Sequence, residues 1–159
     1  MERRTWKPYV IWIILSEAVG GLSGWLTRDG TQVYMAEVVK PPLSPPSVVF
    51  PIVWTVLFAL MGTGAARIYL APASAGRTRS LRLCFLQLLF NFFWTILFFN
   101  FQCYGLALVW LVILWALILC MTLSFRSSDK LAMHLQIPYL LWVAFAAYLN
   151  LGVWLLNRP

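Results

Sequence analysis

The stretch YGLALVWLVILWALILCMTLSF, residues 104–125, contains no charged side chain. As a helix rising about 1.5 Å per residue, it is long enough to cross a hydrocarbon core about 30 Å thick. Four further stretches are predominantly apolar and of spanning length: residues 9–26, 47–70, 81–101 and 131–156. Their apolar runs are continuous, whereas the strands of a membrane barrel would alternate lipid-facing and lumen-facing residues. The expected fold is all-α: an integral membrane protein, multi-pass, forming a five-transmembrane-helix bundle in one domain over residues 1–159.

Composition supports the same conclusion. Of 159 residues, 62% are hydrophobic and only 11% charged, with a mean hydropathy of +0.80. A soluble domain of this length cannot bury so much apolar surface. The net charge of +7 would suit nucleic acid, but the basic residues cluster at the ends of the apolar runs, where lysine and arginine meet lipid headgroups. The charge therefore reads as topology, and no nucleic-acid partner is expected. Arg3, Arg4, Lys7, Arg67, Arg77, Arg79, Arg82, Arg126 and Lys130 fall on one side, against Arg28, Lys40 and Arg158 on the other. In a bacterial cell envelope, with the plasma membrane favoured, this bias places the amino terminus in the cytoplasm. Cys84, Cys103 and Cys120 form no CxxC pair, so neither a disulfide framework nor a metal site is expected. The first apolar run holds Glu17 and a glycine cluster and lacks an A-x-A pattern, which argues against a cleavable signal peptide.

The segment KPPLSPP, residues 40–46, is stiff and extended; it leads into the second span, with Ser47 as the expected cap and Pro51 in the first turn. Residues 27–46 read as a loop, residues 72–79, 102–105 and 126–130 as breaks, and Pro138 as a kink in the last span. No fixed-period repeat is present, and an odd number of spans does not divide into inverted halves, which counts against a secondary transporter.

Few polar groups fall inside the spans: Glu17, Gln87, Asn91, Asn100, His134, Gln136 and Asn150. Gln87, Asn91 and Trp94 share one helix face, which must look into the bundle. The two amides either link helices or meet a ligand's polar edge. Glu17 is the sole acidic residue deep in a span, expected to be neutral and bonded to a neighbouring helix. His134, near an interface, reads as an interfacial residue rather than an axial haem ligand. No carboxylate pair, phosphate loop or catalytic triad is present, so no catalytic residues are assigned from the residues themselves. Trp6, Trp12, Trp25 and Trp154 suit interfacial belts. Trp54, Trp94, Trp110, Trp115 and Trp142 lie deeper, where they serve either packing or a pocket that stacks a planar ligand. Ser16, Gly20 and Gly24 form a small-residue ridge open to a neighbouring helix.

Taken in order, KPPLSPPSVVFPIVWTVLFALMG (residues 40–62), the stripe Gln87, Asn91 and Trp94 followed by Phe98 and Phe99, and IPYLLWVAFAAYLN (residues 137–150) resemble the TspO/MBR family. VGGLSG (residues 19–24) fits its first helix. The resemblance implies a five-helix bundle, usually a homodimer, with a membrane-embedded pocket closed by the loop between the first two spans. It implies ligands rather than cofactors: porphyrin or haem, sterols, and apolar benzodiazepine- or isoquinoline-type molecules, bound amid membrane lipid. Trp54 and Trp142 match the pocket tryptophans implicated in light-dependent porphyrin breakdown by some relatives, which makes them the candidate pair for any such enzyme activity. Asn91, Trp94, Ala146 and Leu149 match positions near the ligand, and Tyr34 falls in the lid. Tyr34 and Met35 stand where relatives often have Trp-Tyr, and Leu43 where they have tryptophan. Gly152 and Leu155 stand where a proposed sterol motif has tyrosine and arginine, against strong cholesterol binding. Leu83, Phe90 and Phe93 give the third span no small-residue ridge for a dimer. The expected role is a receptor-like tetrapyrrole binder; transport of tetrapyrroles, lipids or apolar drugs, with Glu17 as coupling group, is the alternative.

Overall fold

The computed structural model describes residues 5–159, so Arg3 and Arg4 lie outside the described residues. Six helices follow one another: α1 (Trp6–Leu26), α2 (Arg28–Glu37), α3 (Val49–Leu70), α4 (Ala75–Thr95), α5 (Tyr104–Arg126) and α6 (Lys130–Leu156). The last turns of α4 widen into a π-helix, Ile96–Asn100. Five of these units are long and apolar enough to cross a membrane, all but α2. They close a ring in which α1 packs on α3, α3 on α6, α6 on α5, α5 on α4, and α4 back on α1. The protein is thus an all-α, five-span integral membrane bundle.

Two kinds of contact hold the ring. Between α1 and α3 the helices touch through glycine: a Cβ on Gly62 would lie 2.7 Å from the Ile13 nitrogen, and one on Gly20 would run into the Phe58 ring. Such close approach favours association where lipid offers no hydrophobic drive. Around α5 the contact is bulky: Leu114, Ile118, Met121 and Phe125 are fully buried in the same core cluster as Tyr139 and Val143 of α6. Trp110 Nε1 donates to the Phe90 carbonyl of α4 at 2.8 Å, and Trp115 Nε1 to the Leu140 carbonyl of α6 at 3.1 Å. These two interior tryptophans are structural, because an indole N–H in hydrocarbon must find its acceptor within the protein.

Several boundaries differ from expectation. The 27–46 segment is not all loop: α2 occupies ten of its residues, directly after Thr27, with Asp29 in its first turn where the helix dipole favours an acid. Ser47 does not cap α3; Val48 precedes the helix without a side-chain cap, and the Val49 N–H bonds the Pro46 carbonyl at 3.0 Å. α4 starts six residues before the expected 81, because Ser74 accepts from the Arg77 N–H at 3.1 Å as a true N-cap. The arginines of its first turns therefore stand on a helix, Arg79 exposed and Arg77 laid over the Tyr69 ring at 5.1 Å. α1 begins at Trp6 rather than 9, with Pro8 in its first turn. Trp12 is not a belt residue: it is buried, packed on Tyr69 and Phe85. Trp6 and Trp25 are exposed, as belts require.

At the basic end of the bundle, Asp129 joins α3 to α6. Arg67 approaches its Oδ2 through both Nε and Nη2 at 2.8 Å, while Oδ1 accepts from the Ala132 N–H at 2.9 Å and caps α6. Burial alone would raise this carboxyl, but the Ala132 N–H and the Arg67 guanidinium outweigh it and hold it below the usual carboxylate range. A depressed carboxyl stabilises the fold fully above its unfolded pKa, and that share is lost as pH falls through the folded value. Asp129→Ala is expected to cost about 1–2 kcal/mol, and Asp129→Asn less because asparagine also caps. In thermal unfolding between neutral and acidic pH, the parent should lose more stability than Asp129→Asn; parallel curves would remove the ion pair from the account.

Candidate ligand-binding site

A cavity of about 700 Å³ lies on the α2 side of the bundle, walled by α1, α3, α4 and α6 and covered by α2. No residue of α5 reaches it. All seven residues singled out from the sequence line it: Tyr34 from α2, Trp54 from α3, Asn91 and Trp94 from α4, and Trp142, Ala146 and Leu149 from α6. Phe50, Phe58 and Glu17 line it as well. Nothing in the local sequence separates those two phenylalanines from their many lipid-facing counterparts.

The walls are aromatic and braced from behind. Trp54 lies against Phe58, with ring centres 5.6 Å apart, and meets the Tyr139 ring edge-on at 6.1 Å. Trp142 packs between Phe50 and Phe145 at 6.0 and 5.5 Å. Trp94 rests on Phe98, and its N–H is held by Asn150 Oδ1 at 3.2 Å, while Asn150 Nδ2 bonds the Tyr104 carbonyl at 2.8 Å. The Trp142 N–H is buried without a partner. The α1 wall is bare by contrast: Gly21 and Gly24 have nothing within 4 Å of a Cβ position.

The polar stripe of α4 divides. Gln87 lies off the cavity and accepts from the Tyr139 hydroxyl at 2.7 Å, which in turn accepts from Asn91 Nδ2 at 2.8 Å. Asn91 therefore both links helices and lines the cavity. Glu17 departs from expectation, since it has no hydrogen-bond or ion-pair partner among the described residues and faces the cavity instead of a neighbouring helix. Its position one turn below Gly21 on the open α1 wall leaves no donor within reach. His134 is exposed, its Nδ1 2.6 Å from the Lys130 carbonyl at the opposite end of the bundle, and is no part of the site.

The lid is pinned along its length. Tyr34 inserts between Phe98 and Phe99 at 5.5 and 5.4 Å, presented by the π-turn, and the Lys40 ammonium lies 5.0 Å above its ring. Burial, with the Tyr104 phenol nearby, pushes the Tyr34 hydroxyl above its usual range. Gly30 passes against the Phe99 carbonyl where a Cβ would not fit, and Asn100 Nδ2 bonds the Leu26 carbonyl at 3.1 Å. Beyond α2, Val39 and Asn157 exchange two hydrogen bonds of 3.0 and 2.9 Å, and the Tyr148 hydroxyl donates to the Pro42 carbonyl at 2.7 Å. Pro41 seats against Gly152, so a larger residue there would displace the lid. Leu43 is 81% exposed with φ 66°, a left-handed conformation uncommon for leucine, and turns away from the cavity. Met35, not Leu43, lines it.

Residues 12–155 match the sequence profile of the TspO/MBR family. This chain is a TspO/MBR family member. It is 37% identical over 141 residues to Tryptophan-rich protein TspO of Chlorobaculum tepidum, covering 88% of this chain and 89% of that one. Protein CrtK of Rhodobacter capsulatus is 32% identical, over 88% of this chain and 87% of its own. Translocator protein of Bos taurus is also 32% identical, over 96% and 92%. In this TspO/MBR chain, Asn157→Leu removes both bonds to Val39, each worth about 1 kcal/mol. Hydrogen exchange at the Val39 amide should accelerate at least roughly fivefold while the α5 core is unchanged; unaltered exchange would mean that the lid is held elsewhere.

Proposed function

We propose that this protein binds porphyrin- or haem-type tetrapyrroles, and benzodiazepine- or isoquinoline-type molecules, in its intramembrane cavity, and that this binding serves a regulatory or tetrapyrrole-handling role. The observation that carries the reading is the convergence of Trp54, Trp94 and Trp142 on one cavity. Its volume falls within the range of about 300–1,000 Å³ typical of small-molecule sites. Flat aromatic walls favour a flat apolar ring system through stacking. Arg28 lines the same cavity at its exposed mouth, where a guanidinium pairs well with the carboxylates on a porphyrin's edge. Neither a histidine nor a cysteine lines the cavity, so binding rests on ring faces and edge groups. A relative in Cereibacter sphaeroides, 34% identical over 122 residues, is named Tryptophan-rich sensory protein, in keeping with a membrane receptor or regulatory role.

Protoporphyrin is expected to bind the purified protein saturably, followed by the change in porphyrin absorbance. Trp54→Phe with Trp142→Phe should weaken that binding by roughly fivefold or more, given about 0.5–1.5 kcal/mol for each aromatic pair. A double variant that binds as tightly as the parent would sink the assignment.

One observation favours transport as a second reading: Glu17 is an intramembrane carboxyl on the cavity wall without a partner. Vesicles containing the protein would then show porphyrin flux that depends on a proton gradient and is lost in Glu17→Gln. Absence of flux with or without the gradient removes this reading.

A further inference from the structure

Beside the cavity runs a chain of hydrogen bonds whose direction is set by a sulfur atom. Gln87 Nε2 lies 3.4 Å from Met61 Sδ. A thioether only accepts, so Gln87 must turn its N–H towards it and its oxygen towards Tyr139. The Tyr139 hydroxyl has one proton and spends it on that oxygen at 2.7 Å. Its own oxygen then accepts, and Asn91 Nδ2 supplies the donor at 2.8 Å. With its nitrogen turned into the protein, Asn91 presents Oδ1 to the cavity that it lines.

The chain cannot easily reverse. Met61, Gln87, Tyr139 and Asn91 are each 2% exposed or less. Hydrocarbon offers no water to repair a broken link, so flipping one amide requires flipping the others. The reversed chain would set Gln87 Oε1 against Met61 Sδ, two acceptors face to face. The Cys84 thiol beside Gln87 both donates and accepts, and so does not choose a direction.

Several other polar groups of the cavity are already committed; the Trp142 N–H, which can only donate, and the Glu17 carboxyl are not. The hydroxyls of Ser23, Thr27, Thr55 and Thr95 donate to helix carbonyls, and the Trp94 N–H is held by Asn150. Asn91 Oδ1 stands out as a deep acceptor whose sense is fixed by residues that never touch the ligand.

We propose that Asn91 Oδ1 selects flat aromatic ligands bearing an N–H or O–H donor, and that Met61 is the positioning residue that sets this preference from outside the cavity. The inference rests on the reading that the cavity is the ligand site, but not on the ligand's being a tetrapyrrole.

The test uses two three-ring probes of the same shape: carbazole, which carries an N–H, and dibenzofuran, which carries an oxygen in its place. Binding to the full-length protein in lipid nanodiscs is read by tryptophan fluorescence and corrected for partition into protein-free nanodiscs. The parent should bind carbazole about fivefold more tightly than dibenzofuran, the worth of one net hydrogen bond. Met61→Leu keeps the volume but removes the sulfur acceptor, so Asn91 can turn either way; the preference should fall below twofold while dibenzofuran still binds. Asn91→Leu should abolish the preference. Equal binding by the parent, no carbazole binding, or a full preference retained in Met61→Leu would each overturn the proposal. Protoporphyrin binding measured on the same samples separates the two ideas. Porphyrin binding without carbazole preference leaves the proposed function and removes this inference; carbazole preference without porphyrin binding does the reverse.

Discussion

Hydrocarbon supplies no hydrogen-bond partners, and the rest of this structure follows from how the chain satisfies its polar groups without them. An unpaired polar group in such surroundings costs several kcal/mol. The protein answers with helices for the backbone and with cross-helix links for the side chains: Trp110 to Phe90, Trp115 to Leu140, Trp94 to Asn150, and Tyr139 between Gln87 and Asn91. Each link joins two helices, so satisfying the polar atoms and fixing the ring of helices are one process.

The same links divide the molecule into two parts. On one side, α5 buries Leu111, Leu114, Ile118, Met121 and Phe125 in the core and contributes nothing to the cavity. On the other, glycines on α1 remove side chains where the helix passes the cavity. Space for a ligand therefore comes from deletion of volume on α1, set against walls held rigid by α4 and α6. The aromatic residues divide likewise: Trp110 and Trp115 are committed to carbonyls, while Trp54, Trp94 and Trp142 stand at the cavity.

Much of this was legible in the sequence. Long, predominantly apolar runs read as spans, and i, i+4, i+7 spacing put Gln87, Asn91 and Trp94 on one inward face. Trp54 and Trp142 came from resemblance alone, since hydropathy does not distinguish a cavity tryptophan from a packed one. The lid helix was hidden because its residues are polar and its glycine reads as a loop former; that glycine is needed for passage past the Phe99 carbonyl, a contact between segments far apart in the chain. The early start of α4 was masked by arginines that look like a loop flank but stand on a capped helix. Glu17 and Met61 depended on which atoms face them, and no local pattern carries that.

The π-turn at Ile96–Asn100 has a consequence for how the family member tolerates change. A π-turn holds an extra residue relative to an α-turn, and it lies after Asn91 and Trp94 but before the turn into α5. Loss of one residue within it would close the bulge to ordinary α-geometry and re-aim the side chains of the turn itself. Asn100 would leave the Leu26 carbonyl, and the aromatic seat under Tyr34 would rotate away. The cavity floor upstream would keep its register. A change of length at this one turn thus acts on Phe98, Phe99 and Asn100, where the cover is seated, while Asn91 one to two turns earlier keeps its place in the wall.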